Sequence, residues 1–211
     1  MGTAVMSAVF AVQKTDLKKL TAYSTVSHLG WIVATIGVGT PFAIAAALVH
    51  TLAHALFKSS LFMLIGVIDH EAGSRDIRRL GPLWNKMPWT FCSVVIGAAS
   101  MAAVPPLLGF VSKEGMLTAF EDAPIGGTGQ VILLIVAAIG AFFTFTYSAK
   151  IVFGAFFDGP RDMGHVHEAP VSLWLPAALP GFMSLPLAFV LGIFNTPIDH
   201  AVAAVGLEHH S

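Results

Sequence analysis

The chain has 211 residues, of which 55% are hydrophobic and 11% charged, and its formal net charge is −1. A charged fraction so far below the roughly 25% of an ordinary soluble domain places it among membrane proteins, and the near-zero balance excludes a broad basic surface for nucleic acid. A single cysteine, Cys92, leaves no disulfide framework or cysteine metal cluster within the chain, and in its apolar segment it reads as a packing residue.

Residues 1–12 are apolar but shorter than the roughly 20 residues a crossing helix needs. They also lack the basic flank and cleavage pattern of a signal peptide. They read as the end of a longer helix, so the sequence is expected to be a piece of a longer protein. Apolar spans follow at about 21–39, 42–68, 88–120, 129–157 and 172–196. The expected fold is all-α, a polytopic transmembrane helix bundle with about five full spans plus the partial first helix. The segment 88–120 is too long for one straight crossing, since about 33 residues at 1.5 Å measure roughly 50 Å against a hydrocarbon core near 30 Å. Its interior "VPPLLGF" carries Pro105 and Pro106, which remove backbone donors, and Gly109, which relaxes the chain. A broken helix is expected near Pro105 and Pro106. Unwound backbone at that depth is tolerated only in packed protein or beside a wet cavity, so the break points to a pathway.

If each span crosses once, loops 13–20, 69–87 and 158–171 share one side, and 40–41, 121–128 and the C-terminal tail share the other. The first side carries Lys14, Lys18, Lys19, Arg75, Arg78, Arg79, Lys86 and Arg161, eight of the eleven basic residues, and the second carries none. That asymmetry marks the first side as cytoplasmic in a cell membrane. The remaining three, Lys58, Lys113 and Lys150, fall inside spans.

In "LVHTLAHALFKSS", His50, His54 and Lys58 recur at intervals of four, so on a helix they share one face with a rise of about 6 Å between neighbours. Lys58 comes to lie roughly 24 Å from the outer end of its span, just inside the middle of the membrane. A lysine there costs about 2.5 kcal/mol or more unless it faces protein or water, and histidine titrates near neutrality. The ladder therefore reads as a proton relay; the alternative is packing histidines with Lys58 paired to a carboxylate elsewhere. Lys113, in "PPLLGFVSKEGML" beside Glu114, fits either a snorkelling residue near a helix end or a proton site in a wet cavity. Lys150, in "FTYSAKIVFGAFF", is open in the same way between snorkelling and a path to the cytoplasm. His28, in "AYSTVSHLGW", is a further candidate for the ion route, in a cluster with Tyr23, Ser24, Thr25 and Ser27 whose hydroxyls can join neighbouring helices. Asp69, His70 and Glu71 read as part of an ion-paired loop rather than a metal site, and His165, His167 and Glu168, which could bind a metal weakly, are disfavoured as ligands. Phe142, Phe143, Phe145, Phe153, Phe156 and Phe157 read as lipid-facing or interhelical packing. With no nucleotide, phosphate-loop or metalloprotease pattern, no cofactor and no metal are expected.

"QKTDLKKLTAYSTVSHLGW", "HTLAHALFKSSLF" and "PPLLGFVSKEGM" resemble the antiporter-like membrane subunits shared by respiratory complex I and the Mrp-type cation/proton antiporters. Within that group "GVIDHEAGSRDIRRLGPLW" is most similar to the large A subunit of the Mrp type. The resemblance runs from about residue 1 to 157 and is weak beyond 170. It implies a module of two inverted five-helix repeats, each with a broken helix. Residues 1–157 would be the second repeat with its first helix truncated, 158–171 a cytoplasmic loop, and 172–211 an additional transmembrane helix and tail. It also implies a proton route along a central polar axis containing His50, His54 and Lys58, with Lys113 the lysine of the second broken helix, often assigned to the exit. Relatives commonly carry glutamine where this chain has His28. The first repeat's glutamate and lysine pair is absent here, so these residues should not transport alone. The expected function is that of a membrane subunit exchanging protons for a monovalent cation, Na⁺, in company with other subunits of a hetero-oligomeric complex. The alternatives are a proton-pumping subunit of complex I or a related redox complex, which the "DHEAGSRDI" loop disfavours, and a non-conducting scaffold.

Overall fold

Among the described residues the computed structural model is organised by seven named helices: α1 (Gly2–Gln13), α2 (Leu17–Ile36), α3 (Pro41–Ala72), α4 (Pro88–Met101), α5 (Leu108–Glu121), α6 (Gly127–Phe156) and α7 (Val171–Phe189). The structure describes residues 1–159, 162–190, 200 and 202–204; Arg161, the part of the predicted last span beyond Val190, and the tail from 205 lie outside the described residues. The all-α membrane bundle is the expected one. Helices α3, α6 and α7 are each long and apolar enough to cross a membrane, and the 20 residues of α2 reach about 30 Å.

Capping chemistry moves the ends away from the limits of apolar composition. The Asp16 carboxylate accepts from the amides of Lys18 at 2.9 Å and Lys19 at 3.1 Å, so α2 begins at Leu17, ahead of its apolar part. Thr40 accepts from the Ala43 amide at 3.1 Å, Pro41 opens α3, and Gly73 ends it in a left-handed conformation with φ 69°. The long segment 88–120 is indeed two helices, α4 and α5, separated by residues 102–107. Ala103 turns the chain there with φ 61°, a costly conformation for a residue with a Cβ. Gly109 has a different role from the flexibility expected of it. A Cβ at this position would collide with the Ser100 carbonyl oxygen, while its amide donates to Ser100 Oγ at 3.3 Å. The glycine lets the start of α5 lie directly on the end of α4.

Helix α3 is central, packed against α2, α4, α5 and α7. Helix α1 lies on α2 through Ala4, Ala8 and Ala11, all fully buried, and a Cβ on Gly30 would come within 2.8 Å of the Ala4 nitrogen. Such small-residue contacts let helix backbones approach where lipid supplies no hydrophobic drive. The Ser60 hydroxyl donates to the Ala177 carbonyl at 2.7 Å and ties α7 to α3. Of the α6 and nearby phenylalanines, Phe142, Phe145, Phe153 and Phe157 face outward and Phe156 is fully buried. Cys92, expected to pack, is instead exposed, because the phase of α4 turns it away from the bundle.

The three loops assigned to one side do gather at one end of the bundle. The Leu17 amide donates to the Arg75 carbonyl at 2.9 Å, Ile77 to Thr15 at 3.0 Å, and Leu83 to Phe156 at 3.1 Å. Glu168 accepts from the Trp89 amide at 2.8 Å and the Thr90 hydroxyl at 2.6 Å. Its carboxylate thus caps the N-terminus of α4, where the helix dipole favours negative charge.

Two outcomes are expected. Gly109→Ala should cost on the order of 3 kcal/mol, seen as a lower unfolding midpoint in detergent and new protease cleavage within 102–107. The second concerns Asp16, whose carboxyl burial would raise but the Arg75 guanidinium at 3.0 Å and two backbone amides hold below the ordinary 3.8. Because the folded value is depressed, the clasp stabilises above pH 3.8 and is lost as pH falls through the folded value. Asp16→Asn should lower the unfolding midpoint at neutral pH, and its gap to the parent chain should close below that window.

Candidate functional site

The turn at 37–40 makes α2 and α3 antiparallel neighbours, and their register brings two polar stripes together. On α2, Thr21, Ser24 and His28 stand at i, i+3 and i+7, one helical face. Opposite them, α3 presents Lys58 and His50. The Lys58 amine donates to the Thr21 carbonyl at 3.1 Å and to the Ser24 hydroxyl. Among the described residues its hydrogen-bond partners include no carboxylate, although only 4% of the residue is exposed.

The imidazoles join crosswise rather than along α3. His28 Nδ1 lies 3.1 Å from His50 Nε2, and His50 Nδ1 lies 2.9 Å from the Ser112 hydroxyl of α5. His28 Nε2 is 3.2 Å from the Tyr147 hydroxyl of α6, itself 3.2 Å from Thr144 Oγ1. His54, half-buried, holds its ring 5.5 Å from that of His28, and its buried Nε2 has no hydrogen-bond partner among the described residues. Phe57 fills the space between, with its ring 5.2 Å from His28 and 5.6 Å from His54.

Lys113 is also buried, and its amine stands 4.7 Å from the centre of the Trp31 ring, a cation–π contact. Gly140 leaves room for that indole: a Cβ there would lie 3.0 Å from it. Beside Lys113 a cavity of about 290 Å³ opens, lined by Ala102, Ala103, Phe110, Glu114, Leu117 and Ala141. The backbone break thus borders open space, as expected of unwound chain in a bundle. Lys150 is not part of this group. Its amine donates to the Val12 carbonyl at 2.5 Å, at the end of α1.

The structure therefore brings His28, His50 and His54 together, sets Lys58 on the same seam against α2, and puts Lys113 across Trp31. Thr21, Trp31, Ser112, Thr144 and Tyr147 were not singled out from the sequence. The Thr21, Ser24, His28 spacing was the available signal. The polar cluster around His28 splits by helical phase: Ser24 and Ser27 are buried, whereas Tyr23 turns outward to Phe10 and Lys14.

Residues 1–144 match the profile of the NADH:quinone oxidoreductase/Mrp antiporter transmembrane family. The chain belongs to this family. It is 43% identical over 179 residues to the A/B subunit of a probable K(+)/H(+) antiporter of Rhizobium meliloti, covering 84% of this chain and 18% of that protein. It is 39% identical over 212 residues to the A subunit of the Na(+)/H(+) antiporter of Bacillus subtilis, covering 92% and 26%. Among solved structures, the Mrp complex from Dietzia sp. DQ12-45-1b superposes with a TM-score of 0.87 at 48% identity, over 96% of this chain and 22% of that one. The chain thus spans about a quarter or less of the length of these relatives.

In this family member the two α3 histidines should respond differently to removal. His50→Leu strands the buried His28 Nδ1, at about 1–3 kcal/mol, while His28 Nε2 keeps Tyr147 and Ser112 keeps the Gly109 carbonyl. His54→Leu removes a ring whose buried nitrogen has no partner among the described residues and should be near neutral. Unfolding midpoints of the two variants in detergent compare them directly.

Proposed function

We propose that the chain is part of one membrane protein of a hetero-oligomeric antiporter that exchanges protons for a monovalent cation, with Na⁺ as the cation. The observation that carries this reading is the seam of one buried amine, two buried imidazoles and the half-buried His54 ring inside an apolar bundle, with Lys58 held by a carbonyl and a hydroxyl instead of a carboxylate. Such groups are expensive at membrane depth and mark ion pathways. Family membership and the naming of the Bacillus subtilis relative for Na(+)/H(+) antiport support the choice. The Rhizobium meliloti relative, named for K(+), makes potassium the competing cation.

In this mechanism a proton hops among His50, His54, Lys58 and water toward Lys113, each transfer changing the field at the next group. The Lys113 cavity at the helix break is the exit, and other subunits complete the path. Residues 1–157 form the second inverted repeat, 158–171 a cytoplasmic loop and 172–211 an added helix and tail. The loop end rich in lysine and arginine faces the cytoplasm, following the positive-inside rule. The chain moves ions and catalyses no covalent reaction. A redox-driven pump is the second reading, favoured by the quinone oxidoreductases in the same family.

Lys58→Ala and Lys113→Ala, each in the full-length subunit of the assembled complex, should reduce ΔpH-coupled Na⁺ exchange in vesicles to background. Normal exchange at unchanged assembly refutes their roles, and a quinone-reducing partner copurifying with the complex would favour the redox reading.

A further inference from the structure

We infer that Tyr147 of α6 and Ser112 of α5 are working members of the relay, joined through His28 and His50 into one transverse proton wire with two self-consistent polarities. The inference rests on the proton-exchange reading and adds a branch that leaves the α3 ladder sideways.

The wire crosses four helices. Its contacts are Ser112 Oγ to His50 Nδ1 at 2.9 Å, His50 Nε2 to His28 Nδ1 at 3.1 Å, and His28 Nε2 to the Tyr147 oxygen at 3.2 Å. Each residue is 1% exposed or less, so the wire itself is dry, and the proposed step needs water to reach its Tyr147 and Ser112 ends through the assembled complex. Each end also has a spare acceptor. Ser112 can donate to the Gly109 carbonyl at 3.1 Å, and Tyr147 to Thr144 Oγ1 at 3.2 Å, whose own proton is engaged by the Gly140 carbonyl at 2.8 Å.

A neutral imidazole has one donor and one acceptor nitrogen, so choosing one tautomer dictates the other. In the first polarity Tyr147 donates to His28 Nε2, His28 Nδ1–H to His50 Nε2, His50 Nδ1–H to Ser112, and Ser112 to Gly109. In the second, Ser112 donates to His50 Nδ1, His50 Nε2–H to His28 Nδ1, His28 Nε2–H to the Tyr147 oxygen, and Tyr147 to Thr144. The heavy-atom positions satisfy every group in both. The spare acceptors at Gly109 and Thr144 are what keep either end from being stranded.

Passage from the first polarity to the second carries one proton across. A hydronium gives its proton to the Tyr147 oxygen as the original phenolic proton moves to His28 Nε2. The His28 Nδ1 proton moves to His50 Nε2, the His50 Nδ1 proton moves to Ser112, and the original Ser112 proton leaves to water. Every bond broken to hydrogen is matched by one formed, and no net charge stays on the wire. A second proton cannot follow the first in the same direction until the tautomers reset, so the wire passes one proton per reversal.

The test uses the assembled complex with the full-length subunit, labelled with ¹⁵N-histidine and reconstituted in vesicles. Tyr147→Phe keeps the ring and deletes the proton. Exchange driven by ΔpH should fall at least tenfold at unchanged assembly, and the His28 Nε2 resonance should lose its hydrogen-bonded shift. Ser112→Ala, at the other end, should slow exchange comparably, and the double variant should be no worse than the worse single, since both cut one wire. Parent-level exchange in either single variant, or an unmoved His28 resonance in Tyr147→Phe, overturns the wire while leaving the antiporter reading intact. A parent complex that exchanges no protons overturns both.

Discussion

Everything in this bundle is arranged around the need to give a buried amine and its neighbouring imidazoles polar partners. Lipid tails are as apolar as leucine, so apolar packing alone does not choose how one membrane helix slides along another. The contacts of Lys58 with Thr21 and Ser24, and of His50 with His28, do choose. They match a separation of seven positions on α2 with one of eight on α3 in antiparallel order, spans of about 10 and 12 Å. A slip of one residue turns a helix by about 100° and orphans both ends, at roughly 1–3 kcal/mol for each unpaired group. The seam that makes the bundle chemically capable is also what sets its register.

The break between α4 and α5 serves the same seam from the other side. A continuous helix would carry Ser112 and Lys113 in the phase and direction of α4. Instead, the left-handed Ala103 and the contact of Gly109 with Ser100 start α5 on a new axis against α3. Ser112 then reaches His50, and Lys113 reaches the face of Trp31. The polar connections at the loop end stay outside the seam. Asp16, Arg75 and Glu168 pair among loops and helix ends, which keeps those two carboxylates away from Lys58.

Much of this was legible before any coordinates. The ladder His50, His54, Lys58 follows from spacing, the broken helix from length and Pro105 and Pro106, and the gathering of three loops at one end from the alternation of spans. The motifs around Lys58 and Lys113 pointed to the family that the comparison then supplied. What escaped was the partner set. Tyr147 and Thr144 sit in a phenylalanine-rich stretch that reads as lipid-facing, and Ser112 is overshadowed by Lys113. Thr21 shares the face of Ser24 and His28, but it serves Lys58 through its backbone carbonyl, a role its side-chain type does not encode. Cys92 shows the reverse error, an apolar context taken for burial when the helix face was turned outward.

By itself, the sequence determined which segments are helices, where one must break, and which titratable groups share a face. Those properties depend on residues within a few turns of one another, and helical geometry makes them local. Only the tertiary structure decided that His28 is the hub between His50 and Tyr147, that the buried His54 nitrogen has no partner among the described residues, and that Lys150 donates to the end of α1. Those outcomes depend on the rotation and register of helices up to 138 positions apart in the chain, and these are fixed by contacts that no single segment contains.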